Sequence, residues 1–279
     1  MPQLPPHLVY PLEQFADDFL ATIARGQQLA RTSHIHFTGL ARDCAGPLAV
    51  NLSRVLELVE HVGVLSLHIE ENDSTDETPA VLAAFQNQHA WASARSRVLC
   101  LPRRGNEFAG PRTVQLAEFR SECQRMAPKE SDFVVVMDFD AAGSFLLAGL
   151  FHGLGVLGQR SDVSCSASVS LARTRVGRWD GQATTVADEW IHYDAWALRL
   201  NSTFDDYRAG MGTWKHSWLP PVGSPPIPVA SAFGGLAIYR TPEYLAGVYE
   251  GSDCEHVTFH TSIPGVKVLN PSQRCIMSW

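Results

Sequence analysis

The chain has 279 residues, of which 45% are hydrophobic and 18% charged, and its formal net charge is −7 at pH 7. These values are typical of a globular protein with a sizeable core, and the negative charge argues against a nucleic-acid or anionic-membrane surface. No apolar run reaches the length of a membrane span, and the segment MPQLPPHLVYPLEQF lacks the regions of a signal peptide. We therefore expect a cytoplasmic protein, and a peripheral position at the membrane stays open.

Hydrophobic spacing divides the first half of the chain into alternating helices and strands. It predicts a helix over 11–31, a strand over 33–41, a helix near Pro47, a strand over 63–71, a helix opened by a capping box of Ser74 and Glu77, a strand over 96–102, a helix over 110–126 and a strand over 132–140. This order with short connections predicts an α/β fold with a mostly parallel sheet and helices on both faces. The second half is less regular, with strand-like segments at 162–170 and FGGLAIYR and a short helix at DCEHVTFH.

The six cysteines are spread along the chain and form no CxxC pair. A structural zinc site is therefore not expected, because such sites usually take their ligands in closely spaced pairs. In a cytoplasmic protein we expect these thiols to be reduced and mostly buried.

The segment VVVMDFDAAG places Asp138 and Asp140 at the end of the most apolar predicted strand. Ligands of parallel α/β sheets bind at the carboxyl ends of the strands. The two carboxylates of an acid-x-acid pair can project to one side and repel each other unless a cation joins them. Mg²⁺ or Mn²⁺ bridging a diphosphate is the natural partner, although a solvated turn after a strand also fits the bare pattern.

Two further groups of charged residues follow predicted strands. Glu71 and Asp73 come after the second strand, where an acid can bind a ribose or the edge of a base. Arg112 and Arg120 lie eight residues apart on one predicted helix, and the forked donors of arginine suit a diphosphate. A solvated surface position is the alternative for both arginines.

The segment DCEHVTFH contains Glu255, His256 and His260. On a helix the two histidines share a face, so that one of them could complete a metal shell while Glu255 acts as a base or stabiliser. Packed core histidines explain the same residues.

Two other segments of the second half contain residue types that are common in sugar- and phosphate-binding sites. Gly234 and Gly235 lie between apolar residues and permit close approach of a sugar or phosphate, or else form a bulge. Asp194 lies between Tyr193 and Trp196, a combination that is typical of a sugar-stacking wall but also of an ordinary aromatic core.

Taken in order, GLARDCA, ENDSTDET and VVVMDFD resemble the GT-A fold of nucleotide-sugar-dependent glycosyltransferases. The later segments YDAWALR, SAFGGLAIYR and CEHVTFH are similar to the fungal capsule α-1,3-mannosyltransferase family, which includes the cryptococcal mannosyltransferase and capsule-associated proteins. The resemblance covers roughly residues 34–275. It implies a GT-A domain over 33–279, with a nucleotide-binding half at about 33–143 and an irregular acceptor half at about 144–279, after an N-terminal helical extension over 1–32.

The same resemblance implies a reaction and its partners. The chain would move a hexose, with mannose favoured, from GDP-mannose or a UDP-sugar to a saccharide acceptor with retention of configuration. Asp138 and Asp140 would hold Mn²⁺ or Mg²⁺ on the donor diphosphate, with His256 or His260 as a further ligand. With retention, Glu255 or Asp194 would stabilise the cationic sugar, whereas with inversion Glu255 would deprotonate the acceptor hydroxyl, and the sequence leaves both open. The residues implied to line the nucleotide pocket are Ala41, Arg42, Glu71 and Asp73.

Two other functions remain as alternatives. A sugar-1-phosphate nucleotidylyltransferase has a similar fold, but it needs a glycine-rich basic loop after the first strand, where TGLARDCAGP has scattered glycines and one arginine. A non-catalytic carbohydrate-binding protein has no need of the Asp138–Asp140 pair.

Overall fold

The computed structural model describes residues 4–97, 111–179, 181–200 and 213–278. The α-helices of this part are α1 (Ala16–Ala30), α2 (Ala45–Leu56), α3 (Thr78–Gln88), α4 (Pro111–Met126), α5 (Leu147–Gln159), α6 (Thr241–Ala246) and α7 (Glu255–Ser262). The strands are β1 (His34–Ala41), β2 (Val64–Asn72), β3 (Ala92–Arg97), β4 (Phe133–Asp138), β5 (Ser144–Phe145), β6 (Val163–Trp179), β7 (Thr184–His192), β8 (Ile227–Val229), β9 (Leu236–Arg240) and β10 (Val266–Ser278). Short 3₁₀ helices cover Pro6–Leu8, Glu13–Phe15 and Thr213–Ser217.

One sheet with the strand order β3-β2-β1-β4-β9-β6-β10-β5 organises the molecule, with β7 beside β6 and β8 beside β10. Strands β3, β2, β1 and β4 are all parallel, as the alternating pattern predicts. Strand β9 runs antiparallel to both β4 and β6. The second half of the sheet is therefore mixed, and it joins the parallel half through β9.

Strand β4 is buried on both faces of the sheet. Val135 and Met137 belong to one hydrophobic cluster, together with residues of α2 and α5, whereas Val134 and Val136 belong to a second cluster with residues of α6 and α7. Successive side chains of a strand point to opposite faces, so a strand covered by helices on both sides needs an uninterrupted apolar run. This burial explains the run of apolar residues before Asp138.

The N-terminal helix α1 packs closely along α5. A Cβ atom on Gly26 would lie 1.7 Å from the carbonyl oxygen of Phe151, and one on Gly155 would lie 2.0 Å from that of Thr22. Each helix thus places a glycine against the backbone of the other. The helix predicted over 11–31 begins as a 3₁₀ turn, so that α1 itself is shorter, and a domain boundary after residue 32 stays a prediction.

The predicted capping box of Ser74 and Glu77 is wrong. Helix α3 begins at Thr78, and the Ser74 hydroxyl accepts a hydrogen bond from the backbone N–H of Asp43 at 2.9 Å. An Asp76 carboxylate oxygen accepts the N–H of Thr78 at 2.9 Å. Ser74 therefore fastens the loop after β2 to the loop after β1 instead of capping the helix.

The third predicted strand is shifted, because β3 is Ala92–Arg97 and the rest of the 96–102 segment lies outside the described residues. The cysteines that the structure describes are buried and unpaired, as expected: Cys44, Cys123, Cys165, Cys254 and Cys275. Within the same ranges, no helix has both the length and the apolar character that crossing a bilayer requires.

Candidate active site

The carboxyl ends of the parallel strands bring polar residues together at one edge of the sheet. In the register of the sheet, Leu40 lies between Asp138 of β4 and Glu70 of β2. The next residue of β1, Ala41, pairs with Glu71. The predicted convergence of strand ends is therefore present.

The Asp138–Asp140 turn leaves β4 with its central residue pointing inward. Phe139 is buried in the core cluster, while the Asp138 side chain is 27% exposed and Asp140 is exposed to solvent. Although solvent reaches Asp140, the surrounding protein raises the pKa of its carboxyl to about 6, and the nearby charge of Asp138 adds to the increase. Two carboxylates that disfavour each other's ionisation are a suitable place for a cation.

Arg120 of α4 lies between two carboxylates and is only 3% exposed. Its Nη2 donates to Oδ1 of Asp138, its Nε lies 3.8 Å from Oε1 of Glu255, and its guanidinium carbon lies 5.1 Å from the centre of the Phe233 ring. Burial alone would lower the pKa of Arg120, but Asp138 and Glu255 raise it above its usual range. Arg120 is thus a permanently charged counter-ion of two protein carboxylates inside the site. This role differs from the expected contact with a diphosphate, which would not require those carboxylates.

The second arginine of α4 occupies a different environment. Arg112 is exposed at the start of the helix, whereas Arg120 is buried two turns later. The charge of Arg112 lowers the pKa of Asp140, which places its guanidinium on the side of the Asp138–Asp140 turn. Of the two arginines, Arg112 is therefore the one that a bound diphosphate could reach.

Glu255 is the first residue of α7 and is 4% exposed. Burial raises the pKa of its carboxyl, and the charge of Arg120 opposes the increase. The N-terminus of a helix also favours a negative charge. The negative charge of Glu255 is therefore favoured by two features, the guanidinium of Arg120 and the N-terminus of α7.

Asp194 is held by the backbone on both of its oxygens. Oδ2 accepts the N–H of Gly234 at 2.9 Å, and Oδ1 accepts the N–H of Ala197 at 3.3 Å. Burial raises the pKa of Asp194 to about 6, while the bond from Gly234 opposes the increase. The charge of Asp138 raises it further, so this acid belongs to the same electrostatic cluster.

Gly234 and Gly235 connect Asp194 with the end of β4 at Asp138 through backbone hydrogen bonds. They have φ angles of 67° and 78°, and a Cβ atom on Gly234 would lie 1.9 Å from the carbonyl oxygen of Ser168. Gly234 donates its N–H to Asp194, and the carbonyl of Gly235 accepts the N–H of Asp138 at 2.9 Å. The glycines therefore allow close contact with the protein's own backbone, and not only with a sugar or phosphate. This contact places Asp194 next to the end of β4.

The two histidines of α7 are buried and differ in their partners. His260 Nδ1 lies 2.9 Å from Oγ of Ser231, and its Nε2 lies 2.9 Å from the hydroxyl of Tyr239. His256 stacks on Phe233 at 3.7 Å, and both of its buried ring nitrogens are without a hydrogen bond. His260 is thus a core residue with both ring nitrogens engaged, and we leave it out of the metal site proposed below.

The residues expected around the nucleotide lie at the ends of β1 and β2. Ala41 and Glu71 are buried, and Glu71 accepts an N–H bond of 2.8 Å from the following loop. Arg42 is partly exposed, with its Nε 3.8 Å from a carboxylate oxygen of Asp43. Asp73 has a φ of 52° at the turn after β2. Glu71 therefore shapes the loop, while Arg42 and Asp73 lie nearer the surface.

The carboxylates fit a divalent cation only in part. Within residues 4–97, 111–179, 181–200 and 213–278, no group of three or more His, Cys, Asp or Glu side chains is arranged to hold a metal ion. Asp138 and Asp140 supply hard oxygen ligands of the kind that Mg²⁺ and Mn²⁺ prefer. The pair therefore fits a cation that takes its other ligands from a diphosphate and from water.

Two contributors to the site were missed by sequence reasoning. Phe233 lies between Arg120 and His256, and Asn51 of α2 contacts the backbone of the Asp138–Asp140 turn. A signal for Asn51 was present, because it is a polar residue on the apolar stripe of its helix. Phe233 carried no signal, since an aromatic residue before two glycines fits any strand.

No protein-family model and no curated protein matches the chain. Among solved structures it is similar to a mannosyltransferase from Pyrobaculum calidifontis in complex with GDP-Man and Mn²⁺, with a TM-score of 0.50 and 14% identity over 95% of this chain and 68% of that one. It is similar to GalNAc-T7 with UDP, GalNAc and Mn²⁺, with a TM-score of 0.49 and 10% identity over 100% of this chain and 55% of that one. A glucosyl-3-phosphoglycerate synthase from Mycobacterium tuberculosis in complex with Mn²⁺, UDP and glucosyl-3-phosphoglycerate gives a TM-score of 0.47 and 12% identity over 92% of this chain and 74% of that one.

At such low identity the likeness to the Pyrobaculum protein shows the fold alone. Together with the parallel first half of the sheet and the helices on both of its faces, it confirms the predicted GT-A fold class. The finer resemblance to the fungal capsule mannosyltransferases stays a prediction.

Proposed function

We propose that the chain is a metal-dependent glycosyltransferase that moves a hexose from a nucleotide-diphosphate sugar to a saccharide acceptor. One observation carries the proposal: Asp138, Asp140, Asp194 and Glu255 converge around Arg120 at the strand ends of a GT-A fold. The raised pKa values of Asp140, Asp194 and Glu255 next to a buried cation are more typical of a reaction site than of a structural surface.

The proposed roles follow the charge that develops when a nucleoside diphosphate departs. A divalent cation held by Asp138 and Asp140 would neutralise the departing diphosphate. Arg112 is exposed on the side of Asp140, so its guanidinium would reach the same phosphates. Arg120 would hold Asp138 and Glu255 in place through its contacts with both carboxylates.

We propose retention of configuration because of how the carboxylates of Asp194 and Glu255 are held. Both oxygens of Asp194 accept backbone N–H bonds, and Glu255 is buried beside Arg120. An inverting enzyme needs a carboxylate that is free to take the proton of the acceptor hydroxyl. Asp194 and Glu255 instead suit the electrostatic stabilisation of a cationic sugar, and the departing phosphate would take the proton.

GDP-mannose is the donor that we propose first. The resemblance of the second half to mannosyltransferases supports it, as does the GDP-Man complex of the Pyrobaculum protein with the same fold. A UDP-sugar is the alternative donor, and Arg42 and Asp73 are the surface residues at the strand ends that would meet the base and ribose of either one.

A thermal-shift screen of GDP, UDP, ADP and CDP, each with and without Mn²⁺, tests the proposal. A ligand that binds only the folded state raises the melting temperature, so we expect one nucleotide to give a shift that depends on Mn²⁺. Asp140→Asn should abolish that dependence, while Asp17→Asn, at an exposed position of α1, should retain it. No shift with any nucleotide, or the same shift in Asp140→Asn, would contradict the proposed metal site.

Turnover then separates the proposal from its alternatives. The protein should release the nucleoside diphosphate from the matching nucleotide sugar when a saccharide acceptor is added. Consumption of a nucleoside triphosphate with a sugar 1-phosphate would indicate a nucleotidylyltransferase instead. Nucleotide binding without either reaction would favour a binding protein.

A further inference from the structure

Asn51 occupies a position of α2 where an apolar residue would be expected. Leu48, Leu52 and Val55 form the buried stripe of this helix, and Asn51 lies on the same stripe with 0% exposure. Burying an amide is unfavourable unless it makes hydrogen bonds. An asparagine on this stripe therefore calls for specific partners.

The partners of Asn51 are backbone carbonyls of the Asp138–Asp140 turn. Its Nδ2 lies 2.9 Å from the oxygen of Phe139 and 2.9 Å from that of Ala141, and 3.0 Å from the oxygen of Pro47 in its own helix. A carbonyl oxygen can only accept, so the NH₂ group must face these three atoms, and this fixes the orientation of the amide. Phe139 and Ala141 flank Asp140, so Asn51 holds the backbone on both sides of that carboxylate.

The N–H groups of the same turn are held by neighbouring strands. Phe139 donates its N–H to the oxygen of Leu40 at 3.1 Å, and Ala142 donates to that of Met277 at 3.0 Å. Backbone from β1 and β10 thus fixes the donors of the turn, while Asn51 fixes two of its acceptors. The Oδ1 atom of Asn51 is buried without a partner, an unfavourable feature that a purely structural position on an apolar stripe would not need.

We propose that Asn51 is a positioning residue, which holds the Asp138–Asp140 turn in the conformation in which the two carboxylates share a cation. The part of this inference that concerns metal rests on the proposed function. A rigid turn holds Asp138 and Asp140 at one separation before metal arrives. Without the side chain, the turn must be ordered when the cation binds, so metal affinity falls. The net contribution of two neutral hydrogen bonds corresponds to about a tenfold change in affinity.

The test compares Asn51→Leu with Val55→Ala. Leucine shares with asparagine the branching at Cγ but has no donor, so Asn51→Leu removes the hydrogen bonds from the turn. Val55 is buried on the same stripe one turn later, so Val55→Ala weakens the packing of α2 and leaves the hydrogen bonds of Asn51 to the turn in place. Two quantities are measured in each protein: hydrogen exchange of the amides over 139–143 without metal, and Mn²⁺ affinity from the electron paramagnetic resonance signal of free Mn²⁺.

We expect Asn51→Leu to exchange these amides about tenfold faster and to bind Mn²⁺ about tenfold more weakly, with Val55→Ala unchanged in both. Wild-type values in Asn51→Leu would overturn the inference. Equal changes in Val55→Ala would also overturn it, because a general loss of stability would then be sufficient to explain both effects. Should the wild-type protein bind no Mn²⁺, the proposed metal site falls, and hydrogen exchange still decides whether Asn51 holds the turn. If Asn51→Leu does not fold, Asn51→Ala takes its place under the same criteria.

Discussion

At the scale of single residues, Arg120 determines the charge balance of the site. It is the buried cation between Asp138 and Glu255, and removing one partner of a buried ion pair leaves the other charges uncompensated. We expect Arg120→Met to lower the free energy of unfolding by about 3 kcal/mol in urea denaturation. Arg125→Met removes an arginine from an exposed pair on the same helix and should change it by less than about 1 kcal/mol. Equal effects of the two variants would contradict the role given to Arg120.

Asp140 should make metal binding dependent on pH. Although solvent reaches Asp140, desolvation by the surrounding protein and the charge of Asp138 raise its pKa to about 6, and only the ionised carboxylate binds a cation. Mn²⁺ affinity should therefore be constant above pH 7 and fall by up to about tenfold per pH unit below 6. Titrations of Mn²⁺ between pH 5 and 8 measure this dependence. In Asp140→Asn the affinity should be low throughout, with a weaker dependence on pH over the same range.

How much of the site was predictable differs from residue to residue. Asp138 and Asp140 were found because their signal is local: two acids directly after a buried strand. The pairing of Arg120 with Glu255 joins residues that are far apart in the chain, and no local pattern reports such a contact. For His260 the local signal is ambiguous, because its helical spacing from His256 is also that of a packed core residue, and its metal role stays a prediction.

At the scale of elements, the close contact of α1 with α5 depends on two glycines. A Cβ atom on Gly155 would lie 2.0 Å from the backbone oxygen of Thr22, and backbone cannot move aside without separating the helices. We expect Gly155→Ala to lower the free energy of unfolding by about 2 to 3 kcal/mol. Gly46→Ala in the first turn of α2, where a Cβ atom meets nothing within 4 Å, should raise it by up to about 1 kcal/mol. Chemical denaturation of both variants checks the opposite signs.

In the second half of the sheet, β6 and β9 lie on the strand-like segments that the sequence indicated, whereas β10 did not follow from hydrophobic periodicity, because it carries polar residues into the core. In β10, Gln273 is buried, and its Nε2 donates to the hydroxyl of Ser168 at 3.0 Å, while its Oε1 accepts from the hydroxyl of Ser166 at 3.0 Å. Asn270 adds a bond of 3.2 Å to the same Ser166. Strands that satisfy each other's side-chain polar groups have no apolar pattern to detect, whereas β1, β2 and β4 pack against helices and keep theirs.

At the scale of the whole molecule, buried histidines should make the fold sensitive to acid. Burial lowers the pKa of five of them, to about 3 for three, to about 4 for one and well below the usual value for the fifth: His36, His192, His260, His152 and His256. The unfolded chain binds protons at these groups below about pH 6.5 while the native state does not, so stability falls as the pH falls. Asp140, Asp194 and Glu255 act in the opposite direction, because their pKa values are raised in the native state, to about 6 for Asp140 and Asp194.

The five histidines outnumber the three acids, so the net effect of acid is loss of stability. Each group contributes up to about 1.4 kcal/mol per pH unit, and a net excess of two groups gives a slope of about 3 kcal/mol per pH unit below pH 6. Such a slope removes a typical stability of about 5 to 15 kcal/mol within a few pH units. Melting temperatures between pH 7.5 and 5.0 measure it. His152→Gln should reduce the proton uptake on unfolding by about one. A melting temperature that stays flat down to pH 5 would show that the native state accommodates charged histidines.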